Sequence, residues 1–233
     1  MLLPEISIRS HSSDQFVFDR VLYSNSYRIN KFIPNATVVD IGAHIGAFSI
    51  CCLLHGAANI HAFEPLRSNF SLLDRNLSTF SKDFSATQIG ANVRTGFSKL
   101  SKPILTRSTF YELADLSLNT EENSEENSGD GQSCFFTTLD DILYSVEEDI
   151  YLLKLSAPKM ELKILNSCKN LFSVKNLCFE TSCTQSEIAD IEENIKKKGA
   201  FHSSLSEKVG EDRFLFMFSR GDINICFSKY RTV

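Results

Sequence analysis

The stretch VVDIGAHIGAFS, residues 38 to 49, constrains this chain more than any other. A β-branched run closes on Asp40, and Gly42, Gly46 and an apolar, helix-forming segment ending at Gly56 follow directly. That order reads as strand, tight turn and helix. Gly42 and Gly46 allow backbone dihedrals closed to other residues and close approach of a ligand, while N–H groups at the start of the next helix face a polar or anionic group. The spacing differs from the G-x-G-x-x-G turn of dinucleotide sites. Taken alone, the turn is also compatible with a structural role.

NIHAFEP, residues 59 to 65, reads as a second buried strand stopped by Pro65, with Glu64 at its tip. Taken by itself, a carboxylate there is either a solvated strand-end acid or an acceptor of hydrogen bonds from the adjacent hydroxyls of a ribose. A glycine turn and an acid at the end of the next strand are together what an adenosyl-ribose site in an α/β sheet requires. RSNFSLLDRNLSTF then predicts an amphipathic helix with Phe70, Leu73 and Leu77 on one face. Further strands are expected in SATQIGA, KLSKPIL, IYLLKLS and VKNLCFET. Helices are expected in FFTTLDDIL, capped by Thr138, in PKMELKILNSCKNL, opening with Pro158, and in ADIEENIKKKG, closed by Gly199. DRFLFMFSR and INICFSK predict a terminal hairpin around RGD. Strands alternating with helices define an α/β fold with a doubly wound, mostly parallel sheet and a terminal antiparallel hairpin.

The 233 residues suit one domain, here residues 34 to 233, preceded by an N-terminal extension, 1 to 33, packing on the core through a short strand or helix in residues 15 to 33. The acidic, Asn/Ser/Gly-rich segment at 119 to 133 lacks large apolar groups and is expected to form a flexible surface loop. With 24 basic against 29 acidic residues the formal charge is −5, which offers no general attraction to phosphate backbones or anionic lipid. Nucleic acid is therefore not expected as a partner, nor is a membrane, since no apolar run reaches spanning length. The seven cysteines lack paired CxxC spacing, so no metal site is expected and the thiols read as reduced, structural and cytoplasmic.

VVDIGAHIGAFSI followed by NIHAFEPLRSNFSLLDRNL resembles the FkbM-type methyltransferases, whose first motif usually reads Val-Asp-Ile-Gly-Ala-Asn-Ile-Gly and whose second ends in Phe-Glu-Pro. The resemblance continues through TTLDDIL, LLKLSAPKMELKIL and LCFET, and covers roughly residues 20 to 220. It implies a Rossmann-like class I fold, S-adenosylmethionine as cofactor, and methylation of a hydroxyl on a small molecule or sugar. Asp40, Gly42, Gly46 and Glu64 would hold the cofactor. His44, in place of the usual Asn, either donates to the cofactor or fills the loop, and Asn92 is a candidate for the adenine edge.

The family's fourth strand typically ends Lys-Ile-Asp-Val-Glu-Gly-x-Glu, where this chain has Lys154, Leu155, Ser156, Ala157, Pro158, Lys159, Met160 and Glu161. Ser156 replaces the Asp at the strand tip, Pro158 the Glu and Lys159 the Gly. Methylating an alcohol needs help in removing a weakly acidic proton, which a serine hydroxyl cannot supply unaided. Glu161 and Glu180 are the remaining candidate proton acceptors, each with a structural alternative, and Lys154 either holds the substrate or pairs with a carboxylate. Asp141 either orients the acceptor or interacts with a helix dipole. An intact cofactor half beside an eroded catalytic half is also what an inactive descendant would show, serving as a ligand sensor or as a scaffold for a protein partner.

Overall fold

A computed structural model describes residues 5–81, 83–101, 112–113 and 132–228. The chain enters through helix α1 (Asp14–Phe18), which runs on into a π-helical turn (Asp19–Tyr23), so that residues 15 to 23 are helical, whereas residues 24 to 33 are irregular apart from one bridge at Ile29. The core alternates as expected: β1 (Thr37–Ile41), α2 (Ala47–Leu54), β2 (Asn59–Phe63), α3 (Arg67–Phe80) and β3 (Phe84–Thr87). A small sheet follows, from β4 (Gly90–Asn92), β5 (Gly96–Ser101), β6 (Glu112–Leu113) and β7 (Gln132–Thr138). The main sheet resumes with α4 (Leu139–Tyr144), β8 (Ile150–Leu155), α5 (Glu161–Ser167), β9 (Asn176–Ser182), α6 (Ile188–Gly199), β10 (Ser203–Lys208) and β11 (Arg213–Ser219), before the short α7 (Ile223–Cys226).

The seven-stranded sheet has the order β3-β2-β1-β8-β9-β11-β10. Strands β3 to β9 are parallel; β11 runs antiparallel to β9, and β10 to β11. This is a doubly wound, mostly parallel sheet ending in an antiparallel hairpin. β1 and β8 are buried along their whole length because helices cover both faces, which is why their sequences are largely apolar, with Thr37, Asp40 and Lys154 as the exceptions. One face packs α2, α3 and the N-terminal segment against Val38, Ile60 and Leu152; the other packs α4, α5 and α6 against Val39, Leu153 and Phe179.

Several local expectations are revised. SATQIGA is not one strand: β3 ends at Thr87, and Gly90–Asn92 pairs in parallel with β7 in the small sheet. The terminal hairpin joins β10 to β11, and INIC is the helix α7, capped by the Asp222 side chain accepting from the Asn224 N–H. Pro158 does not open α5, whose N-cap is Met160; it sits in the preceding turn. Gly199 is the last residue of α6, and the left-handed closing conformation falls on Ala200 at φ 53°. Thr138 does cap α4, accepting from the Asp141 N–H at 3.1 Å. The expected acidic loop lies outside the described residues, except that Gln132 and Ser133 open β7.

Candidate functional site

The strand order reverses between β1 and β8, and a cleft opens there at the carboxyl ends of the strands, the usual ligand position in an open α/β sheet. Its free volume out to solvent is about 1080 Å³. Gly42, His44 and Phe48 line it from the segment after β1, Glu64 from the tip of β2, and Lys154 and Ser156 from the end of β8. Gly90, Leu100 and Phe136 of the small sheet and Val17, Arg20 and Tyr27 of the N-terminal segment complete the lining.

The turn after β1 needs its glycines. Gly42 has φ +69°, and a Cβ there would lie 1.9 Å from the Ser156 carbonyl oxygen; Gly46 has φ +98° at the start of α2. Beneath the turn Lys154 and Asp40, neighbours across the β1–β8 ladder, form a buried ion pair of 2.9 Å. The Lys154 ammonium also donates to the Gly42 carbonyl at 2.8 Å, and Ser49 donates to Asp40 at 2.7 Å. Burial by itself lowers the Lys154 pKa, but the adjacent carboxylate outweighs it and the ammonium is raised.

Glu64 accepts from the His44 N–H on Oε2 at 2.9 Å, and from the Leu66 N–H and Asn69 Nδ2 on Oε1 at 3.0 and 3.1 Å. Burial pushes its carboxyl up to about 7, against these three donors. Two polar atoms of residues lining this cleft are buried without a hydrogen-bond partner: Asn69 Oδ1 and His44 Nδ1. The His44 Nε2 lies 3.4 Å from Arg9, which also chelates Asp14. Burial pushes His44 down to about 4, so its ring is neutral at pH 7.

A family model described as methyltransferase FkbM domain matches residues 40–201, well over half of the chain. The chain belongs to the FkbM methyltransferase domain family. Comparison with curated proteins finds no match. Among solved structures, an rRNA methylase from Streptococcus thermophilus is similar at 13% identity, covering 93% of this chain and 98% of that one with a TM-score of 0.45. A ribosomal protein L11 methylase from Lactobacillus delbrueckii subsp. bulgaricus is similar at 12% identity, with 88% and 76% covered and a TM-score of 0.46. An rRNA methylase among the structures similar to this FkbM-domain chain overturns the expectation that nucleic acid is no partner. A charge of −5 summed over the chain does not set the local field, and here the cleft wall carries Arg20 and Lys154.

Of the residues singled out in the FkbM-type motifs, the structure brings Gly42, His44, Glu64 and Lys154 to one cleft. Asp40 lies one layer below, and Gly46 shapes the turn. Asn92 is buried at the end of β4, accepts from the Val93 N–H and is not among the lining residues. Neither Glu161 nor Glu180 lines the cleft. Glu161 accepts from the Ala157 N–H at 3.1 Å, fixing the turn after β8, and burial pushes it up to about 7. Glu180 is ion-paired with Arg20 and with Arg213. Asp141 accepts from Thr137 and Thr138 at the root of α4, away from the cleft. Asn69 was not foreseen: a polar residue in the first turn of an amphipathic helix reads as solvated until its burial is known. Arg20 was missed for a related reason, since 160 residues of chain separate it from Glu180.

Among the described residues no helix is long and apolar enough to cross a membrane.

Proposed function

We propose that this protein transfers the methyl group of S-adenosylmethionine to an oxygen of a small acceptor, for which the family resemblance implies a hydroxyl on a small molecule or sugar. Dependence on S-adenosylmethionine is general for methyltransferase folds of this family. The residues present fit the adenosyl group. Gly42 lines the cleft and lets its turn pack against the Ser156 carbonyl, where a Cβ cannot fit. At Glu64, two acceptors await a ribose diol: the lone pair that His44 leaves on Glu64 Oε2, and the unpartnered Asn69 Oδ1 beside it. That pairing of Glu64 with an orphaned acceptor is the observation that carries the reading. Gly90, Leu66 and Phe136 would flank the adenine, and the His44 Nδ1 offers one further polar contact.

The bound cofactor supplies an already activated methyl group, so the protein's part is alignment and exclusion of water. The acceptor would enter where Arg20, Tyr27 and Ser156 line the cleft. Calorimetric titration with S-adenosylhomocysteine tests the reading. Micromolar binding that Glu64→Ala abolishes and Asn69→Ala weakens is expected; absence of binding by folded wild-type protein refutes it.

A second reading, an inactive fold kept as a sensor or scaffold, is favoured by one observation. Asp40 and Glu180 are ion-paired and Glu161 is committed to the backbone, so none of these carboxylates stands open as a proton acceptor. Binding of cofactor without turnover across an acceptor panel would select it.

A further inference from the structure

Tyr27 is only 7% exposed, and its ring stands edge-on to Phe48, with centroids 4.9 Å apart and planes at 75°. Both side chains line the cleft, as do Val17 and Val21 from the same N-terminal segment as Tyr27 and Ala47 from the same helix as Phe48. The Tyr27 hydroxyl makes no hydrogen bond among the described residues, yet it is not one of the unpartnered polar atoms sealed from solvent. The hydroxyl of a buried tyrosine ring usually finds a partner. Here the oxygen keeps free surface, and the cleft that its residue lines is where a ligand would meet it. Burial pushes this phenol above its ordinary range, against the pull of Lys154 and Arg20, so at neutral pH Oη is an uncharged donor and acceptor and not a base.

The other polar side chains of the lining leave little for an acceptor. Glu64 takes three donors and, with Asn69, serves the ribose in the methyl-transfer reading. Lys154 donates to Asp40 and to the Ile41 and Gly42 carbonyls, and Arg20 pairs with Glu180. His44, pushed down to about 4 by burial, is a weak base, and Ser156 carries only a hydroxyl. The amino-acid end of the cofactor needs polar partners as well. A sugar brings several hydroxyls, each costly to bury unpaired, and an alkyl alcohol needs a base for its proton.

We infer that the acceptor is a phenol, its ring packed against Tyr27 and Phe48 and its hydroxyl bonded to the Tyr27 Oη. The inference rests on the methyl-transfer reading and names its substrate class. A phenol offers a flat apolar face to the aromatic pair and one hydroxyl to be satisfied. It ionises near about pH 10, far below an alkyl alcohol, and so can lose its proton to water without a side-chain base. The phenolate oxygen gives a lone pair to the new O–CH3 bond while the S–CH3 bond breaks with its electrons left on sulfur. The phenolate and sulfonium charges cancel, one proton per turnover goes to water, and the product is an aryl methyl ether. Tyr27 is the positioning residue: its Oη accepts from the phenol before ionisation and donates to the phenolate after it.

The test uses the full-length protein saturated with S-adenosylhomocysteine and follows four probes by calorimetry: 4-ethylphenol, ethylbenzene, 4-ethylcyclohexanol and methyl α-glucopyranoside. 4-Ethylphenol is expected to bind at least about fivefold more tightly than each of the others. Tyr27→Phe, which keeps the ring against Phe48 and removes only the oxygen, is expected to weaken 4-ethylphenol about fivefold while leaving ethylbenzene, S-adenosylhomocysteine and the melting temperature unchanged. A merely structural role for Tyr27 would move both aromatic probes together. With S-adenosylmethionine, 4-ethylphenol is expected to yield its methyl ether at a rate that rises with pH across the neutral range.

Equal or tighter binding of the cyclohexanol or the glucoside overturns the inference, as does a 4-ethylphenol affinity that Tyr27→Phe leaves unchanged. Absence of saturable phenol binding by the loaded protein overturns it too, and so does a bound phenol that is never methylated. Failure of the wild type to bind S-adenosylhomocysteine at all refutes instead the methyl-transfer reading beneath it.

Discussion

Glu64 carries two constraints at once. Its buried carboxyl, pushed up to about 7, holds a proton more tightly in the folded protein than in the unfolded chain. Below the ordinary glutamate range both states are protonated, and between that range and about pH 7 the native state binds the extra proton. The resulting stability is fully present at low pH and is lost as pH rises through about 7. Glu64→Gln, with nothing to titrate, is expected to remove this part of the decline from a profile of melting temperature against pH. A ribose hydroxyl, however, donates best to the ionised form. Binding of S-adenosylhomocysteine below pH 7 should then release protons, seen as a dependence of the calorimetric heat on buffer ionisation enthalpy that disappears in Glu64→Gln. Lys154 is constrained differently. It is buried against Asp40 and holds the Gly42 carbonyl, so Lys154→Met should destabilise by about 3–5 kcal/mol, because an uncompensated carboxylate is left in the sheet centre. Denaturant unfolding of Lys154→Met alone and combined with Asp40→Leu measures it, the double variant being expected to recover much of the loss.

Elements differed in how far the sequence exposed them. β1, α2, β2 and α3 were legible because β-branched runs, glycine turns and the Phe70, Leu73 and Leu77 spacing are local signals. The division at Thr87 was not legible, because a parallel pairing of β4 with β7 across more than forty residues leaves no local trace. The end of α6 misled for a different reason. Gly199 is there for packing, since a Cβ would lie 2.0 Å from the Phe201 ring, while the left-handed residue that closes the helix is Ala200. Ala200→Gly is therefore expected to stabilise the protein by about 0.5–1 kcal/mol, and Gly199→Ala to destabilise it, in thermal unfolding. The turn after β8 shows the same displacement. Lys159, where the family has glycine, sits at φ 66° on the surface, so Lys159→Gly should also raise the melting temperature. The site divides along these lines. Gly42 and Glu64 stand in contiguous motifs and were found, whereas Asn69 and Arg20 acquire their meaning only from burial and from contacts distant in sequence.

At the scale of the molecule, the N-terminal segment is joined to the cleft by both packing and hydrogen bonds, and we propose that residues 1 to 33 extend the domain formed by 34 to 233. Phe18, Val21, Tyr27, Ile29 and Phe32 are buried in the same apolar cluster as Val38 and Ile50, and Ile29 bridges to Phe227 near the other end of the described chain. The first described residues are pinned by one side chain. Asn76, fully buried on α3, accepts from the Ser7 N–H at 2.8 Å and donates to the carbonyls of Ser7 and Ile45 at 3.0 and 2.9 Å. The same amide thus ties the N-terminal arm to the glycine turn next to His44, while Arg9 and Asp14 lie 3.4 and 3.6 Å from the His44 Nε2. Asn76→Ala removes these bonds without touching the apolar cluster. It should cost about 1–3 kcal/mol through the backbone groups it leaves unpaired. Deuterium exchange should then accelerate in two places at once, the arm from Ser7 to Asp14 and the turn from His44 to Gly46, with α5 and α6 unchanged. Faster exchange in the arm alone would mean that the turn is held by Lys154 and Glu64 without help from the N-terminus. Faster exchange in both would make the arm a structural part of the cofactor site, and binding of S-adenosylhomocysteine should weaken in the same variant.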